Sequence, residues 1–422
     1  MEDKVYCCID LKSFFASVEC VDRGLDPFKA NLVVADPDRS RGAICLAVTP
    51  ALKNLGVKNR CRIFDIPPTI EYLIARPRMK RYMEKSAEIY SIYLDYISPD
   101  DIHVYSIDEC FIDLTDYVKI YGKTAYGLSQ MLIGEVYKRT GIRATVGIGT
   151  NMFLTKIALD ITAKHASDFT GYLDENLFKK TIWHHRPITD IWNVGPGIAK
   201  RLEKYGIFDL YGVSKASESM LYREFGVNAE LLIDHANGIE PCTIADIHNY
   251  KSKSNSLSNG QILFSDYTAE DAFTVLKEMV DGLTVELVEK GLVAGGVALS
   301  VGFAGSRDGG VNRSAKLTGY TSSYKRFIEK ITELYRSMVS PSQKVRRLNV
   351  GLTDVIHEEF CTYDLFTDVG VQEKEKNLYK TVATIKDKFG KNAILKGISL
   401  EEKATARERN KMIGGHRSGE DE

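Results

Sequence analysis

What most constrains this chain is the position of its acids relative to its apolar runs. Val5-Tyr-Cys-Cys-Ile-Asp10 has the pattern of a short buried strand closed by a carboxylate, and Lys12 to Val21 follows at once with Phe14, Phe15, Val18 and Val21 at helical spacing. A second acid-bearing place lies in His103–Leu114, where two strand-like runs flank the adjacent pair Asp108 and Glu109. A helix over 125–140, a strand over 144–148 and a helix over 152–163 complete an α+β unit with the first strand. A turn between the two strand-like runs would aim Asp108 and Glu109 towards Asp10.

The rest of the chain divides by composition. Residues 1–13 and 78–172 read as one domain, interrupted by 14–77, an insert with strands over 31–35 and 43–48, a short helix carrying Lys53, and a Pro67-Pro68 turn. Residues 173–240 read as all-helical with glycine turns, and 241–253 as a polar linker. The order strand, helix, strand, strand, helix, strand over 254–355 describes an independent small domain. The tail, 356–422, holds one helix over 373–389 and is otherwise expected to be disordered.

With 422 residues and 44% hydrophobic composition, whole-chain disorder and a single small module are both excluded. The balance of 56 Lys+Arg against 57 Asp+Glu gives no global signature of a nucleic-acid binder, so any such function rests on local patches. No apolar run approaches the roughly 18 residues of a membrane span, and the start lacks signal-peptide architecture, so the expectation is a cytoplasmic, nucleoid-associated protein with no membrane partner. The eight cysteines form no C-x-x-C pair and read as reduced, buried thiols, while the eight histidines, His184-His185 included, have no metal spacing.

Carboxylates gathered at strand ends suit hard, oxygen-loving Mg²⁺ or Mn²⁺. Two such ions about 3.5–4 Å apart polarise an attacking hydroxyl and neutralise a leaving pyrophosphate. A solvated turn would carry the same acids, so their context decides. Ile9-Asp-Leu-Lys-Ser-Phe-Phe-Ala-Ser-Val-Glu19, Tyr105–Asp113, Gly147-Ile-Gly-Thr-Asn-Met-Phe-Leu-Thr-Lys-Ile-Ala158 and Asn193–Leu202 follow one another in the order and spacing of Y-family translesion DNA polymerases. Over about residues 5–360 the chain resembles the UmuC-like bacterial branch of that family.

The resemblance implies an α+β right-hand polymerase: a discontinuous palm (1–13 and 78–172), small fingers (14–77), a helical thumb with a helix-hairpin-helix (173–240), and a β-α-β-β-α-β little finger (254–355). It implies that Asp10, Asp108, Glu109 and the Leu11 carbonyl hold two Mg²⁺ ions, with Mn²⁺ as a substitute. Phe15 falls at the family's steric gate, a ring that leaves no room for a 2′-OH, with Phe14 beside it. Lys53 and Lys164 match contacts to the triphosphate of the incoming dNTP. Pro50 and Lys53 depart from the Tyr and Arg of the DinB-type pattern and resemble UmuC-like members.

Gly195, Gly197, Lys200 and Arg201 form a hairpin signature that binds phosphate without reading sequence. Arg307, Arg313, Lys316, Arg346 and Arg347 cluster on or beside strands as a basic face for primer–template DNA. Thr362-Tyr-Asp-Leu-Phe366 resembles a peptide that binds the sliding clamp through Leu365 and Phe366, with Thr362 where the family has Gln. An accessory subunit is a further expected partner. Two other readings compete: a non-catalytic DNA-binding repair or regulatory protein on the same scaffold, and nucleotidyl cyclisation on a similar palm. The first would follow loss of an acid, and all three are present. The second needs neither the hairpin nor a basic C-terminal domain.

Overall fold

The computed structural model describes residues 4–39, 42–252, 255–305, 310–361 and 369–419. Arg307 and the clamp-like residues Leu365 and Phe366 lie outside the described residues. The chain separates into two compact units, one built on residues 1–250 and 418–422, the other on 251–417.

In the first unit, β1 (Tyr6–Leu11) leads into the helix Phe14–Asp22. Strands β2 (Leu32–Val34), β3 (Ala47–Val48) and β4 (Leu73–Ala75) follow, then β5 (Ile102–Val104), β6 (Glu109–Asp113), β7 (Ala144–Gly149) and β8 (Thr170–Leu173). The main sheet has the order β5-β6-β1-β7-β8, with β1 antiparallel to both neighbours and β8 parallel to β7. Strand alternation sends Cys7, Ile9 and Leu11 into a core shared with the helices Met79–Leu94 and Ala125–Thr140. Tyr6 and Cys8 face the other way, onto Met152, Leu159 and Trp192.

The helix Met152–Ile157 and the π-helical turn Ala158–Thr162 lie almost in contact with the sheet backbone. A Cβ on Gly147 would stand 2.3 Å from the Thr155 carbonyl oxygen and the Leu159 nitrogen; one on Gly149 would stand 2.6 Å from the Thr155 nitrogen. These glycines are there for close approach rather than for an unusual φ. Asn151 caps that helix, accepting from the Leu154 N–H at 2.9 Å, and donates to the Gly238 carbonyl at 2.8 Å, which ties it to the helical segment beyond β8.

The three-stranded sheet β3-β2-β4 has its own small core of Val33, Cys45, Val48, Leu52 and Ile63. The strand read over 43–48 is reduced to Ala47–Val48 plus a single antiparallel bridge between Ile44 and Arg62.

The second unit is a four-stranded antiparallel sheet of β9 (Leu257–Tyr267), β10 (Leu292–Phe303), β11 (Gly310–Thr321) and β12 (Val345–His357) in the order β11-β10-β12-β9. The helices Ala269–Glu289 and Tyr324–Met338 cover one face, meeting Val297, Leu299, Val301, Leu348 and Val350. A third helix, Val369–Phe389, packs on the first through Val285, Val288, Tyr379 and Ala383.

The expectation of a disordered tail is corrected between 390 and 417. Glu278, buried on the helix Ala269–Glu289, accepts the Thr405 N–H at 2.8 Å and the Ala406 N–H at 3.1 Å, and Lys396 pairs with Asp281 at 2.7 Å. Polar side chains on the helix supply partners that the tail's own composition does not reveal. Among the described residues, no helix is long and apolar enough to cross a membrane.

Because the atoms opposing a Gly147 Cβ are backbone atoms that cannot swing away, Gly147→Ala should destabilise the first unit by more than about 4 kcal/mol. Urea denaturation of the soluble fraction measures it, and a loss under about 1 kcal/mol would contradict the close packing described.

Candidate active site

Asp10 stands directly opposite Glu109 across β1 and β6, and the Leu11 N–H donates to the Asp108 carbonyl at 2.9 Å. Asp108 is therefore held at the end of β1, where Ser106 Oγ donates to its carboxylate at 2.7 Å. On the other flank, Thr145 of β7 pairs with Asp10, and its buried Oγ1 has no hydrogen-bond partner. Burial pushes the Asp10 carboxyl up to about 7; Asp108 and, more weakly, Glu109 add to the rise while Lys164 and Lys156 oppose it.

Glu109 does not join this pair. Its Oε1 lies 2.6 Å from Lys156 Nζ and accepts from Cys8 Sγ at 3.2 Å. Lys156 is only 7% exposed; burial works against its charge, but Glu109 and Asp160 more than offset that, and its pKa is raised. The series continues from Lys156 to Asp160 at 3.1 Å and from Asp160 to Lys164 at 2.8 Å. Glu109 is thus turned towards Lys156, and among the described residues no group of three or more His, Cys, Asp or Glu is gathered about one point as for a metal ion. The nearby ammonium of Lys156 draws Glu109 aside.

Four lysines, Lys12, Lys53, Lys156 and Lys164, interact electrostatically with the Asp10 carboxylate. Lys53, on the helix Pro50–Asn54, donates to Ser13 Oγ at 2.8 Å. Partial loss of hydration lowers its pKa; Asp10 counters this, while Lys12 and Lys164 reinforce it. Lys12, which the sequence reading passed over, senses Asp10 and Lys164 in the same way and sits 4.8 Å above the Phe169 ring. The donor set of acid oxygens and an unpartnered hydroxyl fits a hard divalent cation.

Phe14 and Phe15 separate cleanly. Phe14 is 2% exposed in the core, which removes it from the predicted nucleotide contacts. Phe15 is half-buried, its ring stacked on Tyr82 at 4.5 Å. Tyr82 donates its hydroxyl to Glu19 at 2.8 Å, and Arg78 donates twice to the same fully buried carboxylate, at 2.9 and 3.1 Å. Arg78 and Arg81 also grip Asp22, at 2.8 and 2.7 Å.

In the helical segment, Gly195 precedes the helix Pro196–Glu203, and a Cβ at Gly195 or Gly197 would meet nothing within 4 Å. Lys200 is exposed. Arg201 is engaged internally: it donates to the Glu224 carbonyl at 2.9 Å and lies over the Phe225 ring.

In the second unit, Lys316 and Arg347 pair with Gly296 and Gly302, on the sheet face away from the helices. Arg313 instead pairs with Leu299 on the helix-covered face and donates to Ser337 at 3.1 Å. Arg346 sits at a register shift and pairs with Asp266 at 3.7 Å. The period-two register thus splits the predicted basic cluster.

Comparison with known proteins gives the family. Residues 9–160 match the model of the impB/mucB/samB family and residues 254–365 the model of its C-terminal domain. The chain is 31% identical over 424 residues to DNA polymerase IV 2 of Bacillus subtilis, covering 99% of each, and 30% identical over 420 residues to DNA polymerase IV 2 of Halalkalibacterium halodurans, covering 98% and 99%. A solved Y-family DNA polymerase chimera of Dbh and Dpo4 superposes with a TM-score of 0.66 at 22% identity, covering 83% of this chain and 99% of that one. The chain belongs to the impB/mucB/samB family of Y-family, UmuC/DinB-type DNA polymerases, enzymes that use divalent metal ions.

The hydrogen bonds from Arg81, and then those from Arg78, hold the Asp22 carboxyl down at about 2 against the opposing effect of its burial. Its stabilisation is complete above the unfolded value of about 3.9 and is lost as pH falls through about 2. Asp22→Asn should therefore lower the urea midpoint near neutral pH, with the gap from wild type narrowing at about pH 3 and below. A gap that does not depend on pH would refute the linkage.

Proposed function

We infer that this chain is a DNA-directed DNA polymerase of the translesion type, adding dNTPs to a primer 3′-OH along a template. The observation that carries the reading is the Asp10–Asp108 pair at the end of β1, faced by Lys12, Lys53 and Lys164. Acids that suit hard cations stand beside ammonium groups that suit a triphosphate.

Asp10, Asp108 and the Leu11 carbonyl would hold two Mg²⁺ ions, or Mn²⁺ in their place, with Glu109 joining on release from Lys156. When bound, such ions activate the attacking hydroxyl and neutralise the leaving pyrophosphate. Lys53 and Lys164 bind the triphosphate, Lys12 adds to the same field, and Asp160 orients Lys164. The Phe15 ring, backed by Tyr82, lies under the sugar and excludes a 2′-OH by clash. The open space over Gly195 and Gly197 admits a DNA phosphate to the amide N–H groups at the start of the helix Pro196–Glu203. Lys316 and Arg347, on a sheet face relieved by glycine, hold the duplex backbone.

Primer extension on undamaged and abasic templates tests the reading. Wild type should extend both with Mg²⁺ and dNTPs, and Asp108→Ala/Glu109→Ala should lose more than about 10²-fold in rate. DNA binding without extension, even with a loaded sliding clamp, would favour the non-catalytic alternative. Phe15→Ala should raise ribonucleotide incorporation by about 10- to 200-fold while leaving dNTP insertion largely intact. Asp160→Asn should raise the dNTP KM by about tenfold with a smaller change in kcat, since it loosens Lys164 without touching Asp10 or Asp108. An unchanged KM would remove Asp160 from that role.

A further inference from the structure

The small sheet of residues 31–75 brings two cysteines together that nothing in the polymerase reading uses. Ile44 and Arg62 form an antiparallel bridge, closed by hydrogen bonds from the Cys45 N–H to the Cys61 carbonyl at 2.8 Å and from the Ile63 N–H to the Ala43 carbonyl at 3.0 Å. One step along that bridge, Cys45 and Cys61 are direct cross-strand partners, so their side chains leave the same face. Directly opposed residues of an antiparallel pair have Cα atoms about 4.5–5.5 Å apart. That separation falls within the range a disulfide spans.

Burial, and then the neighbouring Cys61, pushes the Cys45 thiol up to about 12. Cys45 is fully buried, whereas Cys61 is partly exposed at the edge of the same core. The two therefore have distinct roles in exchange: Cys61 meets a reagent from solvent, and Cys45 resolves the product from within.

We propose that Cys45 and Cys61 are a reversible disulfide site, closed by thiol–disulfide exchange with a small-molecule disulfide. The Cys61 thiolate attacks one sulfur of the reagent, its S–S bond breaks, and one thiol leaves as a mixed disulfide forms on Cys61. The Cys45 thiolate then attacks the Cys61 sulfur, the mixed bond breaks, and the second thiol leaves. Two protein thiols become one disulfide while the reagent is reduced to two thiols, and the protons lost by the cysteines end on those products. The closed loop spans residues 46–60 and carries β3 and Lys53, so oxidation ties this loop across the sheet. The inference is independent of the polymerase reading, and a failed extension assay leaves it standing.

The full-length chain, incubated natively with oxidised glutathione, is quenched by acid, denatured and analysed by thiol titration and non-reducing peptide mapping. The expected result is a loss of two thiols per chain, a Cys45–Cys61 linked peptide, a Tm rise of a few degrees and full reversal by dithiothreitol. Cys61→Ser, altered at a partly exposed position, should fold, form no such link and show no Tm rise. A stable glutathione adduct on Cys61, a link between other cysteines, or no thiol loss in folded wild type would each overturn the proposal.

Discussion

Backbone laid directly on backbone sets the geometry of the acidic centre. Gly147 and Gly149 let the helix Met152–Ile157 and its π-turn approach β7 so closely that a methyl group would collide with main-chain atoms. That approach brings Lys156 up against the β1–β6 layer, within 2.6 Å of Glu109. Lys156, Asp160 and Lys164 recur at i, i+4 and i+8, so three side chains of one helical stretch serve one cluster. Charge and packing are one problem here: a buried ammonium is tolerated only because carboxylates meet it, and they meet it only because the glycines admit the helix.

The series Glu109, Lys156, Asp160, Lys164 alternates in sign, so the cluster carries its own counter-charges. A cation or a triphosphate arriving there exchanges partners within an existing network. Burial of Asp10 and its repulsion from Asp108 are only partly offset by Lys164 and Lys156. That is where added positive charge gains most.

Much of this was legible in the sequence. Asp10, Asp108 and Glu109 drew notice as acids at the ends of apolar strand patterns, but a solvated turn would carry them equally well and only the resemblance singled them out; the strand–helix order of 257–355 followed from period alone. Lys12 and Lys156 were not legible: a lysine beside apolar residues reads as solvated until the neighbouring element is known. Arg313 and Lys316 look equivalent along the chain, yet an odd separation within one strand sends them to opposite faces, and only the register with Leu299 and Gly296 says which is covered. The tail was misread for a related reason, since its ordering comes from a carboxylate more than a hundred residues away.

Glu19 and Arg78 lie near the two ends of the 14–77 segment, one in its first helix and the other just past its last residue, and their buried ion pair joins those ends. The segment is therefore a loop pinched at its neck. Lengthening or shortening it at the Pro67–Pro68 turn changes the closure entropy only logarithmically and transmits little across the pinch. On that view the neck, together with the Lys53 helix, is the part that variation must leave alone, while the turn between them tolerates change in length.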